Sequence, residues 1–224
     1  MGNMTFTEFQ AELLIHLGNR NNVETYKGEW INRAYLSLVS RKQIFGVPMN
    51  FRFPGVETST STNTVDGTAY IAAPTDALVV THVHDATSDK KLTNISWDEY
   101  IKKTGRATAA SEGAPTDWVR YGANLYLHKT PDAVYAMTVY YRKRPTELTG
   151  SAVTVLGAEW DEVILLLAAI QSHIRVNDLQ PIEIKKEEWK EMVLGMIGLH
   201  AFEQFDRKDV RSPSPAYLDG FKYR

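Results

Sequence analysis

The sequence predicts an α+β fold in which helices at both ends of the chain flank a β-rich middle. Apolar residues recur at helical spacing near the N-terminus and again beyond residue 159. Between Val47 and Pro145, short runs of β-branched and aromatic residues are separated by turn pairs. Val163 to Ile170 then follow one another without a polar break. The expected division is 1–46 with 146–205 as a helical domain, an N-terminal helix pair plus a long C-terminal pair. An antiparallel β module, 47–145, is inserted into it, and 206–224 is an extended tail.

Thr5-Phe6-Thr7-Glu8 matches a capping box, a hydroxyl residue followed three positions later by glutamate. Phe6, Phe9, Leu13 and Leu17 share one face, which predicts a helix over Phe6–Leu17. Gly18 to Asn22 is turn chemistry. A second helix is expected over Gly28–Gln43, with Trp30, Ile31, Ala34, Tyr35, Leu38 and Val39 on its apolar side. The connection is too long for a helix-turn-helix DNA reader, whose turn spans about three or four residues.

In the middle, Phe51-Arg52-Phe53 alternates, and the Ser/Thr-rich stretch Thr58–Thr64 leads to the turn pair Asp66-Gly67. Strands are expected at Tyr70-Ile71, Leu78–Val83, Trp118–Tyr121, Asn124–His128 and Val134–Tyr141, rich in β-branched and aromatic residues. Tyr121-Gly122-Ala123-Asn124 reads as a hairpin turn and Thr130-Pro131-Asp132 as another turn. Ser96 to Glu99 is a second capping box, opening a short helix through Lys103 that Gly105 closes.

Glu159, Asp161 and Glu162 crowd the first turn of a helix expected over Glu159–Val176, where carboxylates complement the positive end of the helix. The run Val163–Ile170 covers every side, so this helix either lies inside the domain or is shared with a neighbouring subunit. It is far short of a membrane span. Asn177 and Asp178 stop it. A second helix follows from Pro181 to Phe205, with an apolar face of Trp189, Met192, Val193, Met196 and Ile197. The two make an antiparallel hairpin. Gly195 and Gly198 within the second helix would permit close approach of another helix. The tail carries Pro213, Pro215, several charges and three aromatics, with no periodic pattern; it is expected to be extended and to dock on a partner.

With 224 residues and 43 % hydrophobic content, the chain can bury a sizeable core. A net charge of −2 gives no field that draws it onto DNA, and without cysteine there are no disulfides, thiolate metal sites or cysteine nucleophiles. The first ten residues lack a basic-then-apolar leader pattern, so synthesis in a cytosol is expected. No phosphate loop, His-Glu-x-x-His or Gly-x-Ser-x-Gly motif occurs, and neither enzymatic activity nor a cofactor is expected. His82 and His84 point to one side of a strand, with Asp85 or Asp89 as the only candidate third ligand; surface histidines are the simpler reading, and no metal is expected. The cation clusters Lys102, Lys103, Arg106 and Arg142, Lys143, Arg144 read as solvated surface.

The order of these features resembles the tailed-phage head–tail adaptor (connector) family. Trp30-Ile31-Asn32-Arg33-Ala34-Tyr35 is similar to its opening helix. Gly113-Ala114-Pro115-Thr116-Asp117-Trp118-Val119, followed by Asn124-Leu125-Tyr126-Leu127, resembles its strand and hairpin. Thr130-Pro131-Asp132 and the run from Tyr135 through Arg142-Lys143-Arg144-Pro145 are similar to a further strand ending in basic residues and proline. Glu159-Trp160-Asp161-Glu162-Val163 resembles the acidic start of its long helix. The resemblance implies a structural virion protein at the head–tail junction. It implies a twelve-fold ring of copies beneath the portal protein, with double-stranded DNA passing through without sequence-specific binding and a tail or nozzle protein docking below.

On that reading Trp160, Val163, Leu166, Leu167 and Ile170 are the expected subunit interface, a ring needing one patch to meet a different patch on the next copy. Arg207, Lys208, Arg211, Tyr217, Phe221 and Tyr223 of the tail are the expected portal-binding residues, since aromatics and cations dominate interface anchors. A competing reading is a tail or receptor-contacting module whose β region binds carbohydrate or protein through Tyr126, Tyr140 and Tyr141. A small hydrolase using a His/Asp pair has no motif in its favour.

Overall fold

The computed structural model describes residues 3–19, 21–49, 53–105, 111–178 and 180–205, with side chains except at 21–23, 54 and 197–205. The chain is α+β, with five α-helices and several small sheets among the described residues. The residues before Phe53 and those from Glu147 onward form one compact unit, and Phe53–Thr146 form the other.

In the first unit α1 spans Phe6–His16. Its capping box forms in full: Thr5 Oγ1 accepts the Glu8 N–H, while Glu8 accepts the Thr5 N–H at 2.7 Å. Phe9 and Leu13 are wholly buried. A 3-10 turn, Asn21–Tyr26, leads into α2, Lys27–Ser40. Gly28 sits where α2 meets α1, and a Cβ there would stand 3.0 Å from the Phe6 ring. The helix stops three residues before the expected Gln43, because Arg41 turns extended and Gln43–Ile44 (β1) pairs with Val47–Pro48 (β2). Phe45 and Gly46 join these strands with φ of 47° and 88°, the left-handed pair that a two-residue hairpin requires. Phe45 is held in that costly conformation through its ring, which meets Trp189 edge-on at 5.5 Å.

After a 3-10 turn at Ala158–Trp160, α4 runs over Asp161–Arg175 and α5 over Ile182–Phe205. α4 touches α1, α2 and α5. Each residue from Val163 to Ile170 is at most 1 % exposed. Helices on several sides therefore account for the all-round apolar run within one chain. Trp189 of α5 is buried and donates from Nε1 to the Val163 carbonyl at 3.1 Å. Val193 is buried one turn further on, and Met192 and Met196 are half-buried. A Cβ at Gly195 would meet nothing within 4 Å among the described residues, and the surroundings of Gly198 lie outside the described ones.

The second unit holds two four-stranded sheets. The strands are β3 (Glu57–Asn63), β4 (Tyr70–Ala72), β5 (Ala77–Asp85), β6 (Lys90–Lys91), β7 (Thr93–Asn94), β8 (Asp117–Tyr121), β9 (Asn124–His128) and β10 (Ala136–Lys143). One sheet runs β3-β10-β5-β6 and the other β4-β9-β8-β7; all pairs are antiparallel except β7 with β8. Val83, Met137 and Val139 of the first share a core with Ile71, Trp118, Leu125 and Leu127 of the second. The Ser/Thr-rich stretch, expected only to lead into a turn, is the edge strand β3, largely exposed on both faces. β10 begins at Ala136 and not at Val134, because Tyr135 is engaged by Thr64: its N–H donates to Thr64 Oγ1 at 2.8 Å. Helix α3, Trp97–Thr104, starts with the Ser96 hydroxyl accepting the Glu99 N–H at 3.2 Å. No described helix is long and apolar enough to cross a membrane.

Candidate interaction surface

The motif helix α2 does two jobs. One face closes the helical unit. Trp30, Ile31, Ala34 and Tyr35 are buried, and the Asn32 amide clamps the returning chain at Leu148: Nδ2 donates to its carbonyl at 3.1 Å and Oδ1 accepts its N–H at 2.7 Å. Tyr35 Oη accepts the Val155 N–H at 3.4 Å. Asn32 is therefore a structural residue of the motif, a role invisible in the sequence because its partner lies 116 positions away.

The other face of α2 lines a groove against α4. Arg33, Ser37 and Arg41, at successive intervals of four, form one wall, and Leu167, Gln171, Ile174 and Arg175 form the other. The β1–β2 hairpin contributes Gln43, Ile44 and Phe45, and the cleft holds about 300 Å³. It shares Arg175 with a smaller cleft of about 220 Å³ bounded also by Tyr26, Glu29, Trp30 and Val176. Arg33 is engaged by Glu29 at 2.6 Å. Arg41 and Arg175 have no ion-pair partner among the described residues. The Gln171 side-chain oxygen is buried there without a donor among the described residues. Guanidinium groups beside apolar side chains recognise carboxylates presented next to an apolar anchor. The four-residue spacing of Arg33, Ser37 and Arg41 was the one sequence signal for this site, and it needed the facing helix to acquire meaning.

The N-terminal end of α4 is acidic. Asp161 is buried and accepts the Met4 N–H at 2.7 Å. Burial pushes its carboxyl up, the Met4 hydrogen bond opposes this, and the nearby charges of Glu159 and Glu8 push it further up. Glu8 and Glu12 lie on α1, and Glu162 faces His16 at 3.9 Å.

The expected interface residues Trp160, Val163, Leu166, Leu167 and Ile170 are all interior, at most 1 % exposed. Their side chains are engaged in the chain's own core, and only Leu167 also reaches the groove wall. The expected portal-binding residues Arg207, Lys208, Arg211, Tyr217, Phe221 and Tyr223 lie outside the described residues.

In the β unit, Tyr126, Tyr140 and Tyr141 do not form one patch. Tyr141 is buried in the core, Tyr140 stacks on His82 at 4.2 Å on the opposite face of β10, and Tyr126 belongs to the other sheet. Tyr126 joins Trp97, Tyr100 and Tyr121, with Trp97 stacked between Tyr100 and Tyr121 at 5.2 and 4.2 Å. Trp97 and Tyr126 pack against the buried cluster of Ile95, Tyr100 and Val119, while Tyr121 is exposed. His84 pairs with Asp89 at 3.2 Å, and no three potential ligands among the described residues converge on a metal position.

The most connected charge cluster of this unit is Asp117. It accepts from Lys103 at 3.1 Å and Thr116 at 2.9 Å, and lies 3.2 Å from His128 Nδ1. Burial alone would push its carboxyl up, but the hydrogen bonds from Lys103, Thr116 and His128 outweigh this and hold it below the usual range. The cluster ties α3 to β8 and β9. Asp117→Asn is expected to destabilise the chain by about 1–3 kcal/mol at neutral pH, typical for hydrogen bonds to a charged group. The folded carboxyl titrates below its unfolded value of about 3.9, so this stabilisation is present above that pH and lost as pH falls through the folded value. Urea unfolding of both proteins between neutral and acidic pH checks it; a difference that does not shrink in acid would contradict this role.

The described residues of the helical unit thus include an open groove lined by Arg33, Arg41 and Arg175. The chain matches the family model described as SU10 adaptor protein over residues 4–212, and it belongs to that family. This agrees with the phage head–tail adaptor resemblance of its motifs, and it makes the chain a structural phage adaptor and a virion component that works with other capsid or tail proteins. Comparison with curated proteins gives no match.

Proposed function

We propose that the protein forms a ring of twelve copies at the head–tail junction, beneath the portal protein, where it extends the DNA channel and offers a docking surface to a tail or nozzle protein. The observation that carries this reading is the family match across residues 4–212. On this reading the helices of the first unit are a bundle closed by the α4–α5 hairpin, Phe53–Thr146 is an inserted module, and 206–224 is an extended portal-binding arm. A near-neutral chain suits a channel, because a strongly cationic lining would retain DNA. Heterologous contacts between copies close such a ring.

Light scattering and electron microscopy of the full chain, alone and co-expressed with its portal protein, test the proposal. A ring is expected at least in the presence of portal. A strict monomer under both conditions would sink it.

A further inference from the structure

The outward face of α1 is the counterpart of the arginine groove. Phe9 and Leu13 hold α1 against its own chain, which turns Glu8, Ala11, Glu12 and Ile15 the other way. Ile15 is 61 % exposed, an apolar side chain flanked by carboxylates one and two turns away. The groove offers the inverse pattern: exposed Ile174 and half-buried Phe45 line it together with Arg41 and Arg175. The lengths agree. Glu8 to Ile15 spans about 10 Å of helix, and Arg33 to Ser40, the last residue of α2, spans about the same at 1.5 Å per residue.

From this complementarity we infer that α1 of one copy seats in the α2–α4 groove of the next, with Ile15 against Phe45 and Ile174 and with Glu8 and Glu12 meeting Arg41 and Arg175. An apolar anchor in a groove with charges at its rim is the helix-in-groove mode of recognition. α1 cannot reach its own groove with this face, because the opposite face is packed on its own α2 and α4. The occupant is therefore a second copy, and the contact is head-to-tail: the two patches share no residue, as a closing ring demands. The inference rests on the ring reading given above.

Because the chain has no cysteine, single cysteines report cleanly. Chains carrying Ile15→Cys and Ile174→Cys, purified separately, mixed with portal and oxidised, should give a disulfide-linked dimer, since the Cα atoms must come within about 7 Å. Replacing the second chain by one carrying Val79→Cys, an exposed position in the β unit, should give none. Arg175→Glu should raise the concentration needed for assembly about tenfold, and Glu12→Arg in the same chain should recover much of it. Arg175 is exposed and Glu12 half-buried, so melting temperatures should stay within the change expected for about 1 kcal/mol. Wild-type chain that assembles, with no disulfide-linked dimer between the Ile15→Cys and Ile174→Cys chains and no effect of Arg175→Glu, would overturn the groove contact alone. Wild-type chain that fails to assemble with portal would overturn the ring reading and this inference together.

Discussion

Leu166→Asp is expected to abolish the cooperative thermal transition of the protein. Leu166 is 1 % exposed, in the middle of a helix whose residues from Val163 to Ile170 are all interior. The substitution removes a buried isobutyl group, worth about 2–5 kcal/mol, and places a carboxylate in a buried stretch of apolar residues. The sum is comparable to the whole stability of a typical domain, about 5–15 kcal/mol. Ile15→Asp supplies the contrast. With 61 % of Ile15 exposed, its melting temperature should stay within the change expected for about 0.5 kcal/mol, while assembly suffers. Circular dichroism melts of both variants decide the matter. A Leu166→Asp chain that melts like wild type but no longer forms rings would return α4 to the subunit interface and take it out of the core.

The reading of α4 shows how far sequence reaches. An apolar run on every side of a helix means burial on every side, and the structure shows that burial. Whether the covering surface belongs to the same chain or to a neighbour is a property of three-dimensional packing, to which periodicity is blind. The same divide recurs elsewhere. The capping box at Thr5 and the Phe9, Leu13 face were readable because they are local, within one or two turns. The β1–β2 hairpin was not: its turn places Phe45, a poor residue for positive φ, in the left-handed region, and the Trp189 contact that supports it comes from the far end of the chain. β3 was missed because Ser and Thr on both faces of an edge strand leave no apolar alternation to detect. The groove was missed for a third reason. Its arginines look like ordinary solvated cations until α2 and α4 are laid side by side, and only then do Leu167 and Ile174 join them in one lining.

Truncation after Phe205 is expected to leave the melting temperature within a few degrees and to abolish or strongly weaken portal binding. The segment 206–224 contains Pro213 and Pro215, which break helical hydrogen bonding, and it has no apolar periodicity that a core could use. A segment of that kind contributes little to folding. It does carry Tyr217, Phe221 and Tyr223 within seven positions, together with Arg207, Lys208 and Arg211. Aromatic rings contribute large contact area at small entropic cost, and arginine forms paired hydrogen bonds with carboxylates, which is why both are enriched among interface anchors. An arm of this composition gains affinity by wrapping a partner, less the cost of ordering itself on contact. Because that cost falls at binding and not at folding, the two measurements should separate: the thermal melt stays and the pull-down with portal is lost. Tyr217→Ala with Phe221→Ala in the full chain should reproduce most of the binding loss without shortening the arm. Equal portal affinity for the truncated and full-length proteins would overturn the assignment and transfer portal contact to the folded units.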